Sequence, residues 1–313
     1  RLETRNWLLT PDNFFMQSGI LLIDKPEGPS SAQVVQKVKE ILGAKKVGHL
    51  GTLDPFASGL LPLGINDGTK IADIFLTAQK SYSGVIALGV ETDTQDSTGR
   101  VIEEHEVPCL GENEIERLQE AFTGTLAQTP PMYSALKRGG VRLYRLAREG
   151  LSVPRSPREI RIERLRLWQP GPAEVGIEVT CSKGTYIRTL AADMGKFLGC
   201  GAHLKNLRRL SCGSLTLEQA VPLSAVEMLR DQGNVPLISL NQALAFLREF
   251  RFDNHWLAKL RMGQQEALAG LGAPKEKEKL VRLVDFQNNL IALARWVDEP
   301  AGGRWRLLRV FGS

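Results

Sequence analysis

Apolar and polar residues follow two rhythms along this chain, and the rhythm changes at recognisable punctuation. GILLIDK (Gly19–Lys25) is an unbroken apolar run closed by a Pro-Glu-Gly-Pro turn, the pattern of a buried strand. Ser30 or Ser31 then caps a helix whose Val34, Val35, Val38, Ile41 and Leu42 share one face. GHLGTLDPFASGLLPLG, residues 48–64, reads as a glycine-rich loop. KIADIFL reads as a helix, and YSGVIALGV and RVIEEHEV as strands around the turn TDTQDSTG. Helical spacing returns over 112–122 at Ile115, Leu118, Ala121 and Phe122, and a short helix is predicted over 142–149. EIRIERLRLWQ alternates apolar with charged residues, a strand with one wet face, and AEVGIEVTC is its predicted antiparallel neighbour. In TYIRTLAADMGKFLG, Ile187, Leu190, Ala191, Met194 and Leu198 recur at helical spacing up to a stop at Gly199.

These elements mix without a repeating βαβ rhythm, so the fold class is α+β, with a largely antiparallel sheet flanked by helices. Beyond about residue 250 the texture changes. EKLVRLVDF and LIALARWV flank QNN as a hairpin, RWRLLRVF adds a strand, and the charged PKEKEK reads as a surface loop. The expected organisation is an N-terminal extension at 1–17, a main domain at 18–249 and a small, mostly β domain at 250–313.

At 313 residues and 42% hydrophobic content the chain can bury the core this plan needs. No apolar run approaches the roughly 18–20 residues of a membrane span, and the start lacks the pattern of a secretory signal. Cys109, Cys181, Cys200 and Cys212 form no C-x-x-C pair and read as reduced, mostly buried thiols, which points to the cytoplasm. Cys200 and Cys212 flank His203, but the spacing is wrong for zinc and a fourth ligand is missing, so no metal is expected. No long apolar seam suggests a dimer, and the chain reads as a monomer. Net charge is +5 but lopsided: residues 137–166 hold ten Lys or Arg against three Glu, whereas 91–120 hold ten acids against two Arg. An arginine-rich stripe suits a phosphate backbone, and it equally suits a solvated face balanced by the acidic segment.

Several familiar sites are excluded. GINDGTK is one residue short of a phosphate-cradling loop and lacks its Lys-Ser/Thr ending. No Gly-x-Gly-x-x-Gly follows a strand, and neither His-Glu-x-x-His nor Gly-x-Ser-x-Gly occurs. The outstanding candidate is Asp54, the lone carboxylate of residues 48–64. As an Asp-Pro pair it could be a mere turn starter. Its setting argues for more: glycines let backbone approach a ligand, and Leu, Phe and Pro exclude water. A carboxylate in such a place picks up a proton unless a cation stands by. Arg188, in CSKGTYIRT, is the best source of that cation, able to hold the acid through two parallel hydrogen bonds. Tyr82 could offer a ring face to a base, or be plain strand packing. His49 could fill the gap left by an extruded base, or be a turn histidine.

GHLGTLDPFASGLLPLGINDGTK closely resembles the signature segment of the TruB family of bacterial-type tRNA pseudouridine synthases. GILLIDKPEGPSS, KSYSGVIALGVETDTQDSTG, QTPPMYSALKRGGVRLYRLAREG and CSKGTYIRTLAADMGKFLGCGAHLKNLRRLSCG resemble the matching blocks in the same order, covering roughly residues 19–215. The resemblance implies a pseudouridine-synthase-like sheet, a PUA-like RNA-binding domain at the C-terminus, and conversion of the uridine at position 55 of the tRNA T-loop to pseudouridine without cofactor. It implies that Asp54 is the essential carboxylate, Arg188 its charge partner and Tyr82 a stacking ring. It also implies base contacts from Tyr186 and Leu207, RNA opening by His49, and a buttress to the active-site loop from Lys25. Leu50 departs from the small hydroxyl residue usual there. The arginine-rich segment, with Arg142 and Arg145, is expected to grip phosphates of the T-arm. Two rivals remain: an RNA-binding or RNA-folding protein that uses its pocket only for grip, and a glycosidase, which needs a second carboxylate that Asp93 or Asp96 could supply.

Overall fold

The computed structural model describes residues 17–134, 136–274, 278–299 and 302–312. The expected extension at 1–17 therefore lies outside the described residues except for Gln17, as do residues 275–277 of the charged tract. Among the described residues an 11-stranded sheet organises most of the chain. Its main strands are β1 (Gly19–Lys25), β2 (Ser58–Ile65), β3 (Lys80–Leu88), β4 (Gly124–Gln128), β5 (Arg158–Gly171), β6 (Glu174–Cys181) and β7 (Ala202–Cys212). In space they run β1-β2-β7-β3-β6-β5-β4. The β2–β7 pair is parallel, as is the short Val221–Pro222 strand on the β1 edge; the pairs β1–β2, β7–β3, β3–β6, β6–β5 and β5–β4 are antiparallel. The largely antiparallel sheet expected of an α+β chain is present.

The helices arise where the spacing predicts them. α1 (Ser31–Leu42) is capped by Ser30, whose side chain accepts from Gln33 N while the Gln33 side chain reaches back, and it buries Val34, Val38 and Leu42. α2 (Glu112–Ala121) buries Leu118, and α3 (Ile187–Leu198) ends at Gly199, whose φ of 77° is the left-handed stop that glycine supplies.

The main departure concerns residues 48–64. Only their middle is a loop; Val47–His49 and Ser58–Ile65 are strands, and β2 is buried almost throughout. Its glycines serve close approach rather than turning. A Cβ on Gly59 would stand 2.4 Å from Arg209 O across the parallel seam, and φ there is 96°. β7 went unpredicted because register shifts between Leu204 and Asn206 and between Arg209 and Ser211 break its two-residue period.

The C-terminal β unit is a four-stranded sheet, β8 (Arg248–Arg251), β9 (Leu280–Val284), β10 (Leu290–Val297) and β11 (Arg304–Val310), with helix α4 (Asn254–Arg261). One face has its own core around Leu260, Val281, Leu283 and Ala292. Its Val284, Leu293 and Phe311 instead join Ile20, Leu22, Leu50, Leu60 and Phe75 of the main sheet in one apolar cluster. Among the described residues no helix is long and apolar enough to cross a membrane.

Candidate active site

The turn that carries Asp54 is pinned from below. Leu50, Leu53, Phe56 and Ala57 are buried, and Leu50 N donates to Pro62 O at 2.8 Å. Ser31 Oγ accepts from Leu53 N and donates to Leu53 O, both at 2.8 Å. Ala57 N donates to Asp54 O at 3.2 Å and Gly28 N to Pro55 O at 2.8 Å. The apolar side chains point down into the core, which turns the acid outward: the Asp54 side chain is 41% exposed. The sequence led us to expect a drier setting.

Arg188, in the first turn of α3, is buried at 6% side-chain exposure, and its Nε stands 2.9 Å from Asp54 Oδ2. The expected pair of parallel hydrogen bonds does not form, because the rest of the fork is engaged elsewhere. Nη1 donates to Thr94 O and Nη2 to Tyr133 O, each at 2.8 Å, and Nη1 lies 3.4 Å from Asp96 Oδ2. One buried guanidinium therefore serves two acids. Asp96, 4% exposed, stood in the sequence as a turn former or a glycosidase's second carboxylate, and not as a partner of Arg188. It is that too: its Oδ1 accepts from Thr98 N at 3.0 Å, Thr98 Oγ1 at 2.6 Å and Thr94 Oγ1 at 2.8 Å. Its second oxygen faces Arg188. An acid so committed is no free partner for a glycosidase.

Tyr82 lies on β3 in register with Arg209 of β7 and packs against the main core. Burial pushes its phenol up to about 12, against the pull of the Arg209 guanidinium. Leu207, in register with Gly84, is 7% exposed. Tyr186 directly precedes α3, and buried Gln128 clamps its backbone, accepting from Tyr186 N at 2.8 Å and donating to Tyr186 O at 3.1 Å. Burial raises the Tyr186 phenol, Ser134 and Arg188 lower it, and Asp54 raises it again, so this ring senses both members of the ion pair. His49 is held below the usual histidine value by burial and by Arg209, and among the described residues its buried Nδ1 finds no hydrogen-bond partner. Thus Tyr186 feels the charges of Asp54 and Arg188, while Tyr82 and His49 feel that of Arg209. Sequence reasoning missed Arg209 altogether, since nothing in LRRLSC distinguishes a buried arginine from an exposed one. Arg142 and Arg145 stand apart from these contacts, both exposed, flanking Tyr144 and lowering its pKa through hydrogen bonds. Two cavities open elsewhere, one beside Leu215, Gln242 and Phe246 and one beside Arg261 and Phe286; neither is lined by a residue of the Asp54 group.

Lys25 is fully buried beneath the turn and donates to Pro26 O, Pro29 O and Pro55 O at 2.8, 2.9 and 3.3 Å. Burial lowers its pKa from 10.5 to about 8, although Glu27 and Asp54 pull upward. The unfolded chain keeps this proton to higher pH than the folded one. The cost of burying the ammonium is therefore present in full below about pH 8 and lifts as pH rises from there to 10.5. Urea unfolding of the parent and Lys25→Met between about pH 7.5 and 10 should show the stability difference moving in the parent's favour. A flat difference would refute the depressed lysine.

Two family profiles cover the heart of the chain. The one described as TruB family pseudouridylate synthase (N terminal domain) matches residues 39–187, and the tRNA pseudouridylate synthase B C-terminal domain matches residues 188–249. A protein of Nitrosococcus oceani described as tRNA pseudouridine synthase B is 46% identical over 286 residues, 90% of this chain and 91% of its own. The chain belongs to the TruB family. It is a pseudouridine synthase, an isomerase, which removes the reading as a protein that merely grips RNA. Another TruB relative, the tRNA pseudouridine synthase B of Geotalea uraniireducens, is 41% identical over 93% of this chain and 94% of its own. Two solved structures share the fold at lower identity. A Cbf5-Nop10-Gar1 complex gives a TM-score of 0.72 at 23% identity, covering 99% of this chain and 91% of that one. An H/ACA RNP bound to a substrate RNA containing 2'-deoxyuridine gives 0.71 at 22%, covering 99% and 92%. The TruB profiles end before most of the C-terminal β unit, which begins at Arg248.

Proposed function

We propose that this TruB synthase converts the uridine at position 55 of the tRNA T-loop to pseudouridine, acting through Asp54 on a base extruded from the RNA. The observation that carries this reading is the ion pair between Asp54 and Arg188 at the tip of a pinned turn, with both charges felt by the Tyr186 phenol. In the reaction the bond between ribose C1′ and N1 breaks, the base turns over, and C1′ joins C5. C5 gives up its proton and N1 gains one, so no electrons leave. An isomerisation of this kind demands no redox cofactor, metal or nucleotide. The carboxylate acts first, either by adding covalently to sugar or base or by drawing a proton from the ribose. Arg188 aims it and keeps its charge favourable once the bound base displaces water.

The target atoms are hidden in a folded loop, so the uridine must leave its stack. Stacking on Tyr82 repays about 1–3 kcal/mol of that cost, Leu207 and Tyr186 bound the base, and the neutral ring of His49 takes the vacated place. Because Asp54 is half open in the free protein, the extruded base itself closes the site to water. In this reading residues 18–249 are the catalytic domain and residues 250–313 a PUA-like RNA-binding domain. The protein works as a cytoplasmic monomer on the T-arm. The names of its relatives, tRNA pseudouridine synthase B, support tRNA as the substrate. Release of tritium from tRNA labelled at uridine C5, followed by mass mapping of the product, tests the reading. No release, or pseudouridine outside the T-loop, would reject it.

Arg142 and Arg145 have the exposure that phosphate contacts need. Replacing both with alanine should weaken tRNA binding across all sequences and reduce the salt slope of log Kd by about one per lost contact. Filter binding between about 50 and 200 mM salt reads this; an unchanged slope removes the segment from the interface.

A further inference from the structure

Arg209 is among the most deeply buried charged side chains of the protein, 1% exposed, yet among the described residues no carboxylate lies within ion-pair distance of it. An unpaired buried cation is costly unless fixed dipoles take the place of water. Backbone carbonyls do so here. Nε donates to Leu60 O at 2.7 Å, Nη1 to Thr52 O at 3.2 Å and Nη2 to Gly51 O at 3.0 Å. Gly51 and Thr52 lead into Leu53 and Asp54, whereas Leu60 is the third residue of β2, on the far side of the turn. One planar group thus ties both limbs of the Asp54 turn to β7. The β7 backbone at Arg209 also meets Tyr82 on one side and Gly59 on the other.

Lys80 makes the contrast. It too is buried and donates to carbonyls, those of Phe75, Leu76 and Ala78, but these belong to the end of the helix Ala72–Thr77 and not to the turn. Three divergent donors in one plane are what arginine offers and lysine does not.

We infer that Arg209 is a positioning residue for the isomerisation: it touches no substrate and holds the Asp54 turn and Tyr82 in their working arrangement. The inference rests on the reading of Asp54 as the reacting carboxylate. Its charge is felt where such a role requires, since it draws down both the Tyr82 phenol and the His49 imidazole. A turn released by even about 1 Å costs on the order of a hundredfold in rate, while surfaces that bind the RNA are untouched.

The test uses the full chain and tRNA tritiated at uridine C5, comparing Arg209→Met, Arg209→Lys and Asp54→Asn with the parent. Thermal unfolding checks the fold, filter binding gives Kd, and single-turnover tritium release gives the rate. Arg209→Met should bind within about threefold of the parent and react about a hundredfold slower, and Arg209→Lys should recover about tenfold of that loss. A folded Met variant reacting within about threefold of the parent overturns the inference, as does a loss carried by Kd or a Lys variant no better than Met. If the Met variant fails to fold, Arg209→Lys decides: about tenfold slower at unchanged Kd supports the inference, and parental rate overturns it. An active Asp54→Asn would sink the Asp54 reading itself. An inactive one beside fully active Arg209 variants sinks only the role of Arg209.

Discussion

Asp54→Asn should bind tRNA within about threefold of the parent and isomerise it at least about 10⁴-fold more slowly, the scale on which essential carboxylates and nucleophiles are lost. The substitution is close to isosteric. An amide oxygen can still accept from Arg188 Nε, the turn is held by Ser31 and Lys25 rather than by the carboxylate, and the side chain is 41% exposed. Stability should therefore change by less than about 1 kcal/mol. The loss falls on chemistry alone: a neutral amide neither adds to carbon nor takes up a proton. Single-turnover assays beside filter binding separate the terms. Turnover near the parental rate would dismiss Asp54, and a large loss of affinity with normal chemistry would make it a docking residue.

Arg188→Met carries the largest structural penalty. It removes the donor to Thr94 O and Tyr133 O and leaves Asp96 buried without its cation. Breaking a buried pair by deleting one partner costs about 3–5 kcal/mol, because the surviving charge is stranded. Urea denaturation should register most of that, together with loss of isomerisation. Adding Asp96→Asn should return part of the stability, since the stranded charge is then gone, and no activity, since Asp54 still lacks its partner. Arg188→Lys should restore charge without geometry, for one ammonium cannot meet Asp54, Asp96 and two carbonyls at once. A single Met variant within about 1 kcal/mol of the parent would mean that the network is slack.

Much of this arrangement was readable from residue order. Val34, Val38 and Leu42 recur at the period of a helix, and helix α1 buries them. Asp54 and Arg188 stood out by chemistry, and they meet. What could not be read is what depends on long-range closure. The strand at Ser58–Ile65 looked like a loop because its glycines answer to Arg209 and to Gly68, partners distant in sequence or unrecognisable from spacing. Asp96 satisfied every rule for a turn residue, so its second oxygen left no trace in the sequence. Arg209 and Arg208 are neighbours of the same type. Only strand alternation sends the first inward to carbonyls and the second to Asp24 on a half-open edge.

The apolar cluster that joins Leu50 and Leu60 to Val284, Leu293 and Phe311 has a mechanical consequence. Lys70 donates to Val310 O at 3.1 Å and Gly312 N to Asp67 at 3.2 Å across the same junction. Close-packed interiors have low compressibility and pass strain onward. The outer small sheet is therefore packed directly against the roots of the Asp54 turn, so a cavity cut at Phe311 should be felt at Leu50 and Leu60 as well as in the small sheet.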